Sequence, residues 1–211
     1  MLNINDIFYS IQGESSFAGY PCRFIRLAGC NIKCSYCDSK EALNSAYSMN
    51  MDIEGILNAL NNAGGKNVKL IEVTGGEPLI QENVYRLFEE LLKLNYLVLL
   101  ETNGTINLRK VPEKVIKIVD IKCPSSGFSN RFDYENLNYI NETDEIKFVI
   151  GTDNDYDFAV DFLNKEKLKT KRIIFSAVSA VMPLKKLALK ILENELNVRL
   201  GIQLHKILML K

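Results

Sequence analysis

Short apolar segments of β-prone residues alternate along this chain with segments that have helical periodicity. Strands are predicted at residues 23–29, 68–74, 96–101, 115–121, 145–150, 172–177 and 198–203, with an N-terminal strand or hairpin at residues 4–11. Such alternation is typical of a parallel sheet whose crossover helices pack on its faces. The chain is therefore predicted to be an α/β protein.

Four helices are predicted between these strands. Their apolar residues recur at helical spacing, in the sets Ile53, Ile56, Leu57, Leu60; Val84, Leu87, Phe88, Leu91; Tyr156, Ala159, Val160, Leu163; and Leu184, Leu187, Ala188, Ile191, Leu192. Asp52 is suited to cap the first helix and Pro183 to open the fourth. Residues 123–143 are rich in Ser, Asn, Gly and aromatic residues and show no clear helical pattern.

The length of the chain limits the architecture further. With 211 residues, 47% of them apolar and 25% charged, the composition is that of one globular domain. A complete eight-fold barrel needs about 250 residues. We therefore expect a single domain, residues 1–211, built as a partial, open parallel β/α barrel of about six strands.

Charge and hydropathy exclude several protein classes. Lys and Arg number 26, as do Asp and Glu, so the formal net charge is zero, which argues against bulk nucleic-acid binding. The absence of any run of about 18 apolar residues predicts no membrane span. The N-terminal residues lack the basic and apolar regions of a signal peptide, so a cytoplasmic location is expected.

Unusual residues follow four of the predicted strands. Cys30 follows the first, residues 75–78 (G-G-E-P) the second, residues 103–104 (N-G) the third, and residues 122–124 (K-C-P) the fourth. In parallel α/β folds, functional groups collect at the carboxyl ends of the strands. The sequence therefore predicts that these segments meet in one functional site.

Three of the five cysteines lie within eight residues, as Cys30, Cys34 and Cys37 in the pattern C-x3-C-x2-C. Their thiolates suit either zinc or an iron–sulfur cluster. A structural zinc site needs a fourth ligand, and Cys22, Cys123 and His205 do not stand at a usual spacing for that role. A cubane held by three cysteines leaves one iron open to a substrate or cofactor. We interpret Cys22 and Cys123 as ordinary buried or half-buried thiols.

The motif set resembles the radical S-adenosylmethionine (SAM) superfamily. Besides C-x3-C-x2-C, it includes G-G-E-P at residues 75–78, E-T-N-G at residues 101–104 and D-x-K at residues 120–122. The resemblance implies a 4Fe-4S cluster and S-adenosyl-L-methionine, which is cleaved to a 5′-deoxyadenosyl radical. It implies that the residues binding SAM are Tyr36, Gly75, Gly76, Glu77, Thr102, Asn103, Lys122 and Ser125.

Three further segments resemble the 7-carboxy-7-deazaguanine synthase family, nearly over the whole length. They are residues 8–15 (F-Y-S-I-Q-G-E-S), residues 120–127 (D-I-K-C-P-S-S-G) and residues 203–206 (Q-L-H-K). This resemblance implies conversion of 6-carboxy-5,6,7,8-tetrahydropterin to 7-carboxy-7-deazaguanine, with loss of ammonia and with magnesium assisting. The radical would abstract the C6 hydrogen, and the product would enter queuosine and other deazapurine pathways.

The same resemblance implies the substrate contacts and a C-terminal substrate-binding tail. The residues concerned are Gln12, Gly13, Glu14, Arg26, Gly75, Glu101, Gln203, His205 and the carboxylate of Lys211. Arg26 suits bidentate capture of the substrate carboxylate, whereas Arg23 is expected on the surface. Ser39 stands where the family commonly has a magnesium-binding threonine, and its hydroxyl is predicted to bind Mg²⁺.

The family resemblance also implies partners for this protein, and two alternative functions remain open. The resemblance implies a flavodoxin or ferredoxin as electron donor and a homodimer. One alternative is a radical SAM activase that makes a glycyl radical on a partner protein, which would not need Gln12, Glu14, Arg26, Gln203 or His205. Another alternative is a non-catalytic zinc-binding module, which a colourless anaerobic preparation would indicate.

Overall fold

The computed structural model describes residues 1–43 and 48–210. Its strands are β1 Leu2–Ile11, β2 Pro21–Leu27, β3 Met49–Met51, β4 Leu70–Gly75, β5 Leu97–Thr102, β6 Ile116–Ile121, β7 Glu145–Ile150, β8 Ile173–Ala177 and β9 Arg199–Gly201. Its α-helices are α1 Ile53–Asn62, α2 Val84–Lys93, α3 Asp153–Lys165, α4 Leu184–Glu193 and α5 Leu204–Leu208.

All of these strands belong to one nine-stranded sheet in the order β3-β1-β2-β4-β5-β6-β7-β8-β9. Strand β1 pairs antiparallel with both β2 and β3, whereas β2 and β4 through β9 pair in parallel. Strands β3 and β9 are the two edges, so the sheet is not closed. The prediction of an open parallel α/β sheet is confirmed, with one parallel strand more than the six expected.

The helices begin close to the predicted positions. The side chain of Asp52 accepts a hydrogen bond from Gly55 N at 2.8 Å and caps α1 as predicted. Pro183 occupies the N-cap position of α4 rather than its first turn. Residues 123–143 contain two short 3-10 helices, Pro124–Ser126 and Tyr134–Asn138, which agrees with the lack of a helical pattern in this segment.

The two faces of the sheet differ in what they bury. Ile25, Val73 and Leu100 lie on the face that packs against Leu87 and Phe88 of α2, in the main hydrophobic core. Residues at the alternate positions form a smaller apolar cluster of Cys22, Phe24, Leu70, Leu99 and Ile118. Both faces are thus covered, which is usual for parallel strands and makes any charged residue within them informative.

Arg23 corrects a prediction from the sequence. It is fully buried rather than exposed, and its guanidinium lies 4.8 Å from the ring centroid of Tyr96. Its Nη2 donates to Val68 O at 2.9 Å. Arg23 and Arg26 are three residues apart in β2, so their side chains point to opposite faces of the sheet. Arg23 therefore lies on the helix-covered face, and its position in the strand explains why it is buried.

Among the described helices, none has the length and apolar character that crossing a bilayer requires.

Candidate active site

The carboxyl ends of the parallel strands surround a cavity of about 540 Å³. Most of the predicted site residues line this cavity, although they come from distant parts of the sequence. Those that do are Gln12, Gly13, Glu14, Arg26, Cys30, Cys34, Tyr36, Cys37, Ser39, Gly75, Gly76, Glu101, Thr102, Asn103, Lys122, Gln203 and His205. Lys211, predicted to present its carboxylate, lies outside the described residues.

The three clustered cysteines form one wall of the cavity. Cys30, Cys34 and Cys37 are free, partly buried thiols, whereas Cys22 and Cys123 are fully buried elsewhere. Burial raises the pKa of Cys30 and Cys34. A metal centre that binds them as thiolates offsets this effect, because its positive charge favours the deprotonated form. Among the described residues, no three His, Cys, Asp or Glu side chains converge closely enough to hold a single metal ion. In a cubane, each cysteine binds a different iron atom, so three thiols along one wall suit a 4Fe-4S cluster rather than one ion.

The loop that carries these cysteines is hydrogen-bonded at its start and near its middle. Gly29 N donates to Ala42 O at 2.7 Å, and Ser35 Oγ donates to Ser125 O at 2.6 Å. Asn103 Nδ2 lies 3.8 Å from Cys30 Sγ, within reach of a weak hydrogen bond to sulfur. The loop is therefore anchored to the segments that follow β5 and β6.

The paired glycines allow the loops after β2 and β4 to touch. Gly75 has a φ of +147°, and a Cβ there would lie 2.1 Å from Leu27 O. A Cβ on Gly76 would lie 2.2 Å from Gly29 O. Side chains at either position are therefore excluded. The glycines serve backbone-to-backbone packing beside the cysteines, in addition to facing the cavity.

Two predicted cofactor contacts lie behind the cavity wall. Glu77 is fully buried, and its carboxylate accepts hydrogen bonds from Asn103 N at 2.7 Å and Leu79 N at 3.0 Å, and from Thr102 Oγ1. Burial raises the pKa of Glu77 to about 7. The N and Oγ of Ser125 both donate to Asp155. Neither side chain lines the cavity, and their polar atoms pair within the protein, so the contact of Glu77 and Ser125 with SAM stays a prediction.

The loop after β1 and the C-terminal segment pack against each other. Leu204 N donates to Gly13 O at 2.8 Å, and Gln203 Nε2 donates to Glu14 Oε1 at 2.8 Å. A Cβ on Gly13 would lie 1.9 Å from His205 Nδ1, so only glycine permits this contact. Two segments that the sequence analysis proposed separately therefore form one rim of the cavity.

A second set of contacts joins the cysteine loop to this rim. Lys206 Nζ donates to Asp38 Oδ2 at 2.8 Å, and Gln203 Nε2 lies 3.3 Å from the same oxygen. Burial would raise the pKa of Asp38, but the bonds from Lys206 and Gln203 bring it down to about 2. Nearby, Arg26 Nη1 donates to Ser39 Oγ at 3.2 Å. The predicted magnesium and carboxylate sites are therefore adjacent.

Sequence reasoning missed two buried charged residues of the cavity wall. Glu72 and Lys147 lie within buried stretches of β4 and β7 and line the cavity, close to Asp120 of the D-x-K motif on β6. Gln12 Nε2 donates to Glu72 Oε2, and burial together with the Glu101 and Glu14 charges raises the pKa of Glu72 well above its ordinary value. The sequence did contain a signal for these residues, because a charged residue in a strand buried on both faces needs a polar cavity or a charged partner.

Comparison with known proteins gives a consistent result. Residues 24–128 match the family model described as the radical SAM superfamily. The chain is 41% identical to a 7-carboxy-7-deazaguanine synthase of Koribacter versatilis, covering 97% of this chain and 96% of the relative. It is 39% identical to one from Chlorobaculum tepidum, covering 97% and 93%. The crystal structure of QueE from Escherichia coli superposes with a TM-score of 0.79 at 26% identity, covering 97% of this chain and 94% of that one.

Proposed function

Because the chain belongs to the 7-carboxy-7-deazaguanine synthase family of the radical SAM superfamily, we propose that it converts 6-carboxy-5,6,7,8-tetrahydropterin to 7-carboxy-7-deazaguanine with loss of ammonia. The chain is a radical SAM lyase that uses a 4Fe-4S cluster and S-adenosyl-L-methionine. Two observations support the proposal together. The similarity to these relatives extends over nearly the whole of both chains, and most of the motif residues line one cavity. The activase and zinc-module alternatives are therefore set aside.

Cys30, Cys34 and Cys37 would hold the cluster on the cavity wall. When bound, the cluster and SAM supply the 5′-deoxyadenosyl radical that abstracts the substrate C6 hydrogen. Around the place for SAM, the cavity offers Tyr36, Gly75, Gly76, Thr102, Asn103 and Lys122. Lys122 Nζ lies 2.8 Å from Asp120 Oδ2 and is suited to receive the methionine carboxylate beside that partner.

Glu77 would act from behind this wall. Its carboxylate fixes Thr102 and the backbone of Asn103, two groups that face the cavity, through hydrogen bonds of 2.7 to 3.0 Å. The glutamate of G-G-E-P would thus position Thr102 and Asn103 of the E-T-N-G motif. This arrangement gives G-G-E-P and E-T-N-G a physical connection.

The substrate would lie between the N-terminal loop and the C-terminal segment. Its carboxylate suits Arg26, whose guanidinium is also stacked 5.7 Å from the ring centroid of Phe8. Ser39, bonded to Arg26, would contribute its hydroxyl to Mg²⁺ beside that carboxylate. Gln12, Glu14, Glu101, Gln203 and His205 provide acceptors and donors for the heterocycle edge, with Gly13 and Gly75 shaping the walls.

The partners proposed from the sequence rest on family resemblance. We expect a flavodoxin or ferredoxin as electron donor, a homodimer, and a product that enters queuosine or related deazapurine synthesis. We also expect a cytoplasmic location, as predicted from the sequence.

Anaerobic turnover tests the proposed function. The reconstituted enzyme would receive SAM, dithionite, Mg²⁺ and 6-carboxytetrahydropterin, and products would be followed by absorbance and mass. Formation of 7-carboxy-7-deazaguanine without stoichiometric loss of SAM is expected. Cleavage of SAM to 5′-deoxyadenosine with no deazaguanine would overturn the substrate assignment and leave the radical SAM class intact.

A further inference from the structure

Lys147 is a buried lysine on β7, at a strand position where an apolar residue would be expected. The strand reads E-I-K-F-V-I, and its neighbours Ile146 and Phe148 are buried in the main hydrophobic core. The Lys147 side chain is 5% exposed and lines the cavity on the opposite face. A lysine in such a place needs a strong electrostatic reason, because burying an ammonium is unfavourable unless it is paired.

Three carboxylates from three separate elements surround this ammonium. Lys147 Nζ lies 3.0 Å from Glu14 Oε2 on the loop after β1 and 3.6 Å from Asp120 Oδ2 on β6. It also donates a short hydrogen bond to Glu101 Oε1 at the end of β5. The side chain therefore joins the N-terminal loop to two strands of the sheet.

The same surroundings make Lys147 unsuitable as a proton donor. Burial alone would lower the pKa of its ammonium, but the Glu101, Glu14 and Asp120 charges raise that pKa well above the ordinary range. A group that holds its proton this firmly does not release it during turnover. Its contribution is fixed positive charge.

The carboxylates of Glu14 and Glu101, which are bonded to Lys147, can still accept hydrogen bonds from a ligand. Glu101 Oε2 accepts from Thr74 Oγ1 at 3.1 Å, and Glu14 Oε1 accepts from Gln203. An ionised carboxylate has about four lone-pair sites, so each retains acceptors beyond these bonds. Both residues line the cavity, where a bound pterin would present several N–H donors on its heterocyclic edge.

We propose that Lys147 is a positioning residue, which orients Glu14 and Glu101 as paired acceptors for the N–H edge of the substrate. This inference rests on the proposed function, and it adds a residue that no motif in the sequence singled out. Lys147 acts through the two carboxylates and need not touch the substrate itself.

Steady-state kinetics of the reconstituted holoenzyme test this role. Lys147→Met should raise the KM for 6-carboxytetrahydropterin by roughly 100-fold, since removing one member of a buried charge group leaves the others misdirected. The KM for SAM and the iron content should remain those of the wild type. Lys147→Arg retains the charge and should recover a large part of the lost affinity.

The pH dependence separates positioning from a merely structural role. Burial would raise the pKa of Glu101, but Lys147, with help from Lys122 and Thr74, holds it below its ordinary value. Without Lys147, the groups facing Glu101 are Glu14, Glu72 and Asp120, with Lys122 as the remaining cation. We therefore expect the pterin KM of Lys147→Met to rise as the pH falls from about 8 to 6, with no such rise in the wild type.

A second buried lysine provides the matched control. Lys117 pairs with Asp144 at 2.9 Å, and it does not line the cavity in the part of the chain that the structure describes. Lys117→Met should lower stability but leave the pterin KM within about threefold of the wild type. The inference is overturned if Lys147→Met also stays within threefold at every pH, or if both variants raise KM alike.

An infrared measurement keeps this test independent of turnover. Difference spectra between each protein and its Glu101→Gln counterpart report whether Glu101 is ionised. Glu101 should remain a carboxylate at pH 6 in the wild type and become protonated in Lys147→Met. If Glu101 is protonated only in Lys147→Met but the wild type forms no deazaguanine, the substrate assignment is rejected and the role of Lys147 stands. If Glu101 has the same ionisation state in both proteins, the role of Lys147 is rejected.

Discussion

Two buried lysines on neighbouring strands are neutralised in different ways. Lys117 of β6 forms one ion pair of 2.9 Å with Asp144, and their side chains are 2% and 0% exposed. Lys147 of β7 lies among three carboxylates at the edge of a cavity. The first pair lies on the helix-covered face, away from the cavity, whereas the carboxylates of the second group line the cavity.

The two faces of the sheet differ in the same way for other polar groups. On the packed face, neither water nor a ligand reaches a polar group, so Lys117 needs Asp144, and Arg23, whose Nε and Nη1 have no hydrogen-bond partner, stacks on Tyr96. On the cavity face, a surplus of one charge is stable only as long as a counter-charge holds it in place. We therefore expect changes on the packed face to lower stability and changes on the cavity face to lower turnover.

The largest effect is expected at the cysteines. Cys34→Ala removes one thiolate from the cavity wall, so iron content should drop and turnover should fall below detection. Cys123→Ala, in the packed body, should keep turnover and lower the free energy of unfolding by about 1 kcal/mol. Iron analysis, turnover and urea unfolding of both variants provide the comparison. A fully active, iron-replete Cys34→Ala protein would contradict the cluster assignment.

The next effect is on stability, at the closed ion pair. Asp144→Ala leaves the Lys117 ammonium buried without its partner and should lower the free energy of unfolding by about 3–5 kcal/mol. Urea unfolding at neutral pH measures this change. The double variant with Lys117→Met should regain much of the loss, because no uncompensated charge remains. If the double variant is as unstable as Asp144→Ala, the ion pair is not the cause.

A pH-dependent effect is expected at Glu77. Its folded-state pKa of about 7 lies above the ordinary carboxyl value of 4.5, so folding favours the protonated form. The stability this proton contributes is complete below pH 4.5 and is lost as the pH rises through 7. The difference amounts to about 3 kcal/mol. Unfolding of the wild type and Glu77→Gln from pH 4.5 to 8 should diverge by that amount, and parallel curves would refute the prediction.

The smallest effect on stability is expected at the rim. Lys206 and Asp38 form an ion pair of 2.8 Å with side chains 39% and 55% exposed, so Lys206→Met should change the free energy of unfolding by less than about 1 kcal/mol. It should still raise the pterin KM by a few fold, because Gln203 and the cysteine loop lose a shared anchor. Lys93→Met, which breaks an exposed pair remote from the cavity, is the control and should leave KM unchanged.

Much of the fold was predictable because its signals are local. The strands from residue 70 to residue 177 have apolar stretches bounded by polar segments, and parallel order follows from the alternation with helices. The three-residue strand β3 and the short helix α5 have too few residues to produce a pattern, whereas β9 lies within the strand predicted at residues 198–203. Arg23 shows the same limit for side chains, because its burial depends on Tyr96, far away in sequence.

By itself, the sequence placed three cysteines within eight residues, which predicted a metal centre on one short segment, and the family motifs indicated a 4Fe-4S cluster. It also determined which strand ends carry polar motifs. Only the tertiary structure decided which of those groups face the cavity, placing Glu77 and Ser125 behind its wall. It also brought Lys147 to Glu14 and Glu101, 133 and 46 residues away in sequence. The reason is physical: spacing determines geometry within one loop, whereas contacts between strands depend on register and on which face each side chain occupies.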